Sequence, residues 1–398
     1  MQDKPRRAAA WLALFLLCGP TAATGHAEPE GRVRFYNIAD SDFDAYSRSP
    51  TPQQQAWMRR HYARMQTYSP YFDQRLAWYP GAWAYKDSYA IKPQWPEFRE
   101  HPDWILRDGT GRPLFIPWGC GEGRCPQYAG DVGNPAFRAH WIAAASRLIQ
   151  RGYRGLWVDD VNLTWRVGDG LGRPVRPLDP RTGRPMRLQD WRRYFALFME
   201  EIRAALPQAE IAHNVIWYAG PPTDAWIRRQ IDAADYINLE RGASDPGLTG
   251  GDGPWSFRRF LEFIDFVHQR GRAVILMDYG DDLPAREFGL AAWLLISHGR
   301  DLLSSNQLAW TAPDRFWHGY ALDLGHAQGP RSRWRGLYRR DFDCGYVLLN
   351  PPGGAPAAIS LPPGQRRLDA GAQRSFVLRA RGAAVVLLDC ARSAGPLR

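Results

Sequence analysis

An alternation along the chain restricts its fold more than any other feature. Short apolar, β-branched or aromatic runs at 33–39, 76–83, 113–117, 155–161, 210–217, 236–239, 273–277 and 302–305 are separated by amphipathic stretches, among them 135–151, 188–206, 225–234, 255–270 and 285–298. Parallel strands need helical crossovers, so about eight such units over ~300 residues make an α/β chain of the (β/α)8 TIM-barrel type the expected fold. A doubly wound sheet is the lesser alternative, because no Gly-rich phosphate loop follows the first run. In 188–206 the residues Leu188, Trp191, Phe195, Phe198, Ile202 and Leu206 recur at helical spacing, which reads as a core-facing stripe. Beyond Arg333 the pattern changes to short strands punctuated by turns such as Asn350 to Gly354, so a small C-terminal antiparallel β-sandwich domain is expected. The expected organisation is a signal peptide over 1–27, a barrel over 28–332 and the β-domain over 333–398. A Gly-, Pro- and Arg-rich excursion from Trp165 to Met186 follows the fourth run and is expected to tune substrate choice.

The first 27 residues have a basic start (Lys4, Arg6, Arg7), an apolar stretch and small residues ending near Ala27, which is the pattern of a secretory leader. A periplasmic or secreted location follows, with no membrane span after leader removal. Beyond the leader stand Cys120, Cys125, Cys344 and Cys390, and three pairings are possible. Locality favours Cys120 with Cys125 and Cys344 with Cys390, disulfides being stable in an oxidising compartment. The net charge is +10, but all except three of the 51 basic residues are Arg scattered along the whole chain. Nucleic-acid binders cluster their charge, so no nucleic-acid partner is expected. Oligomeric state is not encoded in any of these patterns.

Two motifs carry chemistry. In GLWVDDVN, residues 155–162, an apolar strand ends in Asp159 and Asp160. Burying unpaired charge in the core is costly, so the acids belong where the strand leaves the barrel, which is the active-site face of such folds. Strand alternation puts Trp157 with Asp159 on one side and Val158 with Asp160 on the other. In YINLERG, residues 236–242, Glu240 occupies the same terminal position on a later strand. Glu240 beside Arg241 also fits a surface ion pair. Two carboxylates entering one mouth are what glycosidic cleavage requires, one as nucleophile or base and one as proton donor. Other run ends add Asp40, Asp87, Asn162, Asn214 and Asp278 as hydroxyl partners, with Trp83, Trp118, Trp217 and Trp310 as stacking platforms for a carbohydrate. Trp78, Tyr85, Trp165, Tyr218 and Tyr279 stand near the same ends. No cofactor and no essential metal is expected. Asp159, Asp160 and Asp278 are the available acids for a cation, and the nine His show no metal-ligand spacing.

Four stretches, DVGNPAFRAHW (131–141), RGYRGLWVDDV (151–161), LDLGHAQGP (322–330) and YRRDFDCGYVLLNP (338–351), resemble bacterial TIM-barrel glycoside hydrolases with a small C-terminal β-domain. These are related in pattern to endo-α-1,4-polygalactosaminidase-like and dextranase-like enzymes. The resemblance implies a nucleophile at the Asp ending strand four, placed on Asp159 with Asp160 as neighbour, and a proton donor at the end of strand six, placed on Glu240. Trp157 stands where amylase-type enzymes carry Arg, which leaves Asp159 and Asp160 both open as nucleophile. The expected activity is hydrolysis of an α-linked poly- or oligosaccharide by a retaining mechanism. A non-catalytic glycan-binding protein of exopolysaccharide export, or a transglycosylase using the same site, are the alternatives.

Overall fold

The computed structural model describes residues 28–121, 125–215, 223–371 and 373–392; the expected leader lies outside them. Eight parallel strands, β1 (Phe35–Ala39), β2 (Tyr62–Thr67), β3 (Ala82–Asp87), β4 (Gly155–Asp159), β5 (Glu210–Val215), β6 (Tyr236–Leu239), β7 (Ala273–Asp278) and β8 (Leu302–Ser305), close into a barrel. Each pairs with its neighbour in sequence, and β8 closes on β1 through Phe35 with Leu303 and Tyr36 with Ser304. Around it lie α1 (Pro52–His61), α2 (Pro135–Gln150), α3 (Leu188–Ala205), α4 (Ala225–Ala233), α5 (Phe257–Gln269) and α6 (Leu283–Ile296). Their starts are written in the sequence. Asn134 accepts from the amides of Ala136 and Phe137 with Pro135 at the first helical position, and Thr51 with Gln54 forms a capping box on α1. The α3 stripe Trp191, Phe195, Phe198 and Ile202 is fully buried.

Two of the eight expected strands differ. The run 76–83 starts too early: Asp73–Ala77 is a 3-10 turn, and only Ala82 and Trp83 of the run fall in β3. The run 113–117 lies outside the barrel, forming isolated bridges through Phe115 to Tyr128 and Gly168. The strand missing from the sequence reading is β2. Its inward residues are polar, so it lacks an apolar signature, yet each finds a partner inside. Gln66 accepts from the Tyr36 hydroxyl, and Arg64 grips Glu210 through Nε and Nη2 at 2.6 and 2.7 Å.

That ion pair closes the N-terminal end of the barrel. Glu210 also accepts from Trp83 Nε1 at 2.8 Å and Arg154 Nε at 2.8 Å. Above it Tyr36, Trp83, Trp157, Ala212, Tyr236, Ala273, Ile275 and Leu302 fill the interior as one apolar cluster. The lumen is therefore a packed core, and only the C-terminal mouth is open to ligands.

The C-terminal strands β9 (Ser332–Trp334), β10 (Leu337–Phe342), β11 (Gly345–Leu349), β12 (Ala357–Ser360), β13 (Arg366–Arg367), β14 (Ser375–Leu378) and β15 (Ala383–Leu387) form a five-stranded antiparallel sheet, β9-β10-β11-β15-β13, and a β12-β14 pair. Leu337, Leu348, Ile359, Leu361, Leu378 and Val386 make up an apolar cluster shared by the two sheets. Val347, Leu349, Val385 and Leu387 belong to the main core, where β15 and β11 pack on α6. Disulfides join Cys120 to Cys125 and Cys344 to Cys390. No helix among the described residues is long and apolar enough to cross a membrane.

Burial opposes ionisation of Glu210, but its bonds to Arg64, Arg154 and Trp83 hold the carboxyl down to about 2. A depressed carboxyl contributes stability that is complete above its unfolded value near 4.5 and is lost as pH falls towards 2. Urea unfolding of Glu210→Gln should therefore show a flatter pH dependence between those limits than the parent. Glu210→Ala should cost roughly 3 kcal/mol at neutral pH, because it leaves the half-buried Arg64 unpaired.

Candidate active site

On β4 the inward residues are Trp157, in the lumen cluster, and then Asp159; Leu156 and Val158 face the surrounding helices. The alternation expected from sequence therefore holds as far as Asp159. It fails at Asp160, which adopts φ 54°. This left-handed turn ends the strand and brings the second carboxylate back to the same cavity, where Trp118 Nε1 and Asn162 Nδ2 both donate to its Oδ1 at 3.2 Å. A non-glycine residue pays strain for that conformation; Ser88 Oγ, donating to the Asp160 carbonyl at 3.0 Å, helps to hold it.

Glu240 follows Tyr236 and Asn238 in the inward register of β6. Asn238 Nδ2 donates to Asn214 Oδ1 at 2.8 Å, which fixes the orientation of the Asn214 amide. Asn214 Nδ2 then donates to Asp159 Oδ1 at 2.8 Å and to Glu240 Oε2 at 3.2 Å. One nitrogen thus ties the two carboxylates together. The outer oxygens are also held: Tyr85 donates to Asp159 Oδ2 at 2.8 Å and Tyr279 to Glu240 Oε1 at 2.9 Å. Glu240 forms no ion pair with Arg241, contrary to the surface-pair reading.

Asp159, Asp160, Glu240, Tyr85 and Asn214 line a cavity of about 550 Å3 together with Asp87, Trp118 and Asn162. Four other expected residues are elsewhere. Trp83 is fully buried in the lumen because its position on β3 is two residues below Tyr85, and its indole is spent on Glu210. Asp278 falls on the outward register of β7, where it accepts from the Gly280 amide and faces Gly289 of α6; burial pushes its carboxyl up to about 7. Trp310 lies under the Arg286 guanidinium, 3.5 Å from its ring centroid, away from the cavity lining. Asp40 caps the turn Ser41–Phe43 by accepting from the Asp42 amide. Trp217 and Tyr218 lie outside the described residues. Trp78 packs against Phe72 and Tyr79, and Trp165 against Arg176.

The cavity wall also contains Gln127 and Asp245, which carried no motif in the sequence, Arg166 from the excursion and Arg241 from the second motif. Trp118 and Arg166 form one feature, the guanidinium 5.1 Å from the ring centroid. Both are delivered by segments outside the barrel that hold each other, since Phe115 and Gly168 exchange backbone bonds and Cys125 donates to the Gly170 carbonyl. The excursion is docked by charge as well: Asp179, fully buried, pairs with Arg181 and accepts from Tyr194, and Arg181 reaches Asp131 at 2.8 Å.

The acids repel one another. Burial and Asp159 push Asp160 up to about 6. Burial, Asp160 and Asp159 raise Asp87 well above the usual range although its Oδ1 accepts from the amides of Tyr89 and Ala90. Burial and Glu240 raise Asp159 against the opposing bonds from Asn214, Tyr85 and the Asp160 amide. An oxygen from each of Asp87, Asp159 and Asp160 lies within 4.8 Å of the others. These are the residues that could hold a cation, with Asp87 in the position the sequence reading gave to Asp278.

The profile of hypothetical glycosyl hydrolase family 15 matches residues 70–346, which include β3 to β8 and every residue of the cavity wall. The chain belongs to this family. It is a glycoside hydrolase, an enzyme acting on glycans. No curated protein matches it. Among solved structures it is similar to the glycoside hydrolase domain of PelA from Pseudomonas aeruginosa at 15% identity and TM-score 0.41, covering 69% of this chain and 94% of that one. It is also similar to trehalose-6-phosphate hydrolase from Bacillus licheniformis at 11% identity and TM-score 0.48, covering 90% and 99%. Arthrobacter globiformis T6 isomalto-dextranase matches at 12% identity and TM-score 0.47, covering 90% and 73%.

The raised carboxyl of Asp160 has a consequence for stability. A group whose folded value lies above its unfolded one stabilises the fold fully only below the unfolded value, and that contribution is lost as pH rises from about 3.8 through about 6. Asp160→Asn should therefore be more stable than the parent at pH 7 by roughly 2–3 kcal/mol. The advantage should shrink to nothing near pH 4. Thermal unfolding of both proteins across this range checks it.

Proposed function

We propose that the chain is a secreted or periplasmic retaining glycoside hydrolase for an α-linked poly- or oligosaccharide, with Asp159 as nucleophile and Glu240 as acid/base. The observation that carries the reading is the shared Asn214 amide. Bonds of 2.8 and 3.2 Å from one nitrogen bring an oxygen of each carboxylate closer together than the span of about 6.5–9.5 Å that an inverting site leaves for water. A retaining pair at about 5–5.5 Å fits that constraint. The preference for an α-linkage rests on the nucleophile's place at the end of β4, as in the enzymes the sequence resembles. The leader-like residues 1–27 and the two disulfides support export.

The residues divide the work by their partners. Asp159 accepts from Tyr85, from Asn214 and from the Asp160 amide at 2.8 Å, three donors that favour its anionic form. It attacks the anomeric carbon while protonated Glu240 delivers its proton to the glycosidic oxygen, and the leaving sugar departs as an alcohol. Glu240, now a carboxylate, takes a proton from water, whose oxygen displaces Asp159 and regenerates both groups. Asp160, which accepts from Trp118 and Asn162, has the role of binding and shaping the site. Trp118 beside Arg166 offers a platform for a sugar ring. A non-catalytic glycan binder has no need of two carboxylates fixed to one amide, which counts against that alternative. In this reading 28–332 is the catalytic unit and 333–398 packs against it.

A polysaccharide panel with reducing-end detection tests the reading. Asp159→Asn should abolish cleavage of every substrate the parent accepts. Glu240→Gln should lose about 10²–10⁴-fold on a natural glycan. It should lose far less on an aryl glycoside with a good leaving group, and azide should restore turnover. Proton NMR of the first product should show the anomer of the substrate. Normal activity in both variants would move the chemistry elsewhere.

A further inference from the structure

The loop after β6 carries Glu240 at its start and Asp245, another residue of the cavity wall, five positions on. Its inner half is tied to the barrel: Ser244 Oγ donates to the Arg241 carbonyl at 2.8 Å and accepts from the Tyr279 amide at 3.1 Å. Arg241 and Gly242 both take left-handed conformations, φ 66° and 49°, so this stretch departs sharply from the strand. Its outer half is tied to something else. Arg381, in the turn between β14 and β15, donates from Nη1 to the Asp245 carbonyl at 3.1 Å and from Nη2 to the Pro246 carbonyl at 3.1 Å and to the Leu248 carbonyl.

We propose that Arg381 is a positioning residue of the active site, through which the C-terminal sheet holds the loop that joins Glu240 to the cavity wall at Asp245. The inference rests on the catalytic role given to Glu240 above. Three carbonyls converge on one guanidinium, and Arg381 has no carboxylate partner among the described residues, so its charge is committed to this backbone. Only a guanidinium has donors in a fixed fork able to span three such acceptors; an ammonium is a point donor on a flexible stem. Arg381 is itself fixed. Its backbone sits at φ 60°, and its amide donates to the Asn350 carbonyl at 3.0 Å. A second contact lies beside it, since a Cβ on Gly250 would meet the Pro352 carbonyl at 2.5 Å. The loop is thus anchored to β7 on one side and to the C-terminal sheet on the other, with Asp245 between the two anchors.

The test uses the full mature chain with Arg381→Ala, Arg381→Lys and Arg331→Ala. Arg331 pairs with Asp265 on α5, so its loss weakens a half-buried part of the same interface without touching the loop. In Arg381→Ala, amide hydrogen exchange across 243–250 should rise at least ~10-fold, while exchange in β10 and β11 stays at the parent level. On the polysaccharide that the parent cleaves, kcat should fall by about 10–100-fold, the size expected of a small misplacement of a reacting group. The loss should be smaller on an activated aryl glycoside, as for Glu240→Gln, because protonation matters less there. Arg381→Lys should recover part of both effects. Arg331→Ala should keep parental kcat at a similar loss of melting temperature. Parental exchange and kcat in Arg381→Ala, or an equal kcat loss in Arg331→Ala, would overturn the proposal. If the parent cleaves no glycan, the catalytic reading fails, and the exchange measurement still decides whether the clamp exists.

Discussion

Closing eight parallel strands on themselves assigns every second residue of each strand to one shared interior. All else at the site depends on that constraint. Trp157 and Asp159, Ala212 and Asn214, and Tyr236 and Asn238 are successive inward positions on β4, β5 and β6, and Glu240 continues the last series one residue beyond the strand. The strands are hydrogen-bonded neighbours, so groups at matching heights meet. The low positions form the apolar filling and the high ones the polar cluster. Asn214 can bridge Asp159 and Glu240 because β5 runs between β4 and β6. A catalytic geometry supported this way inherits the stiffness of the barrel, which sites on loops lack.

The same packing creates an electrostatic difficulty that the fold answers in two ways. Asp87, Asp159 and Asp160 cannot all ionise at such short range in a buried cavity, and no Lys or Arg among the described residues forms a salt bridge with them. Instead it distributes donors unequally. Asp159 receives two side-chain donors and one amide, whereas Asp160 receives two longer bonds from Trp118 and Asn162 and sits beside a raised Asp87. Environment, more than residue type, thereby separates one anion from its neighbours. The barrel floor shows the opposite solution. Glu210 meets Arg64 and Arg154 directly and stabilises the fold with no part in the mouth.

The sequence was legible where one rule governed a residue. Apolar runs that end in acids identified β4 and β6, and amphipathic helical periodicity placed α2, α3 and α5. It failed where the interior accepts polar side chains: Arg64 and Gln66 on β2 look like surface residues until Glu210 and Tyr36 are seen opposite them. The count of eight strands survived only because the run 113–117 stood in for β2. Trp83 and Asp278 were assigned by nearness to a strand end, and register decides against both. Trp83 is too low on β3, and Asp278 has the wrong parity on β7. Trp118 shows the converse. Its segment is no barrel strand, yet bridges to Gly168 carry it to the cavity. Contacts between segments distant in sequence, such as Trp118 with Arg166, leave no local pattern to read.

The C-terminal sheet follows from the same accounting of unsatisfied surface. Helix α6 is apolar nearly all round, with Phe288, Leu290, Ala291, Trp293, Leu294 and Leu295 all buried, so a barrel ending at β8 would expose one of its faces to water. Val347, Val385 and Leu387 cover that face, and charged groups set the orientation: Arg367 grips the buried Glu287 of α6, and Arg340 reaches the carbonyls of Leu294 and Ser297. Once the sheet is fixed on α6, its β14–β15 turn has no freedom relative to the loop after β6. Arg381 then meets the Asp245, Pro246 and Leu248 carbonyls as a consequence of how α6 had to be covered. The module that completes the core is therefore also the one that can restrain the cavity wall.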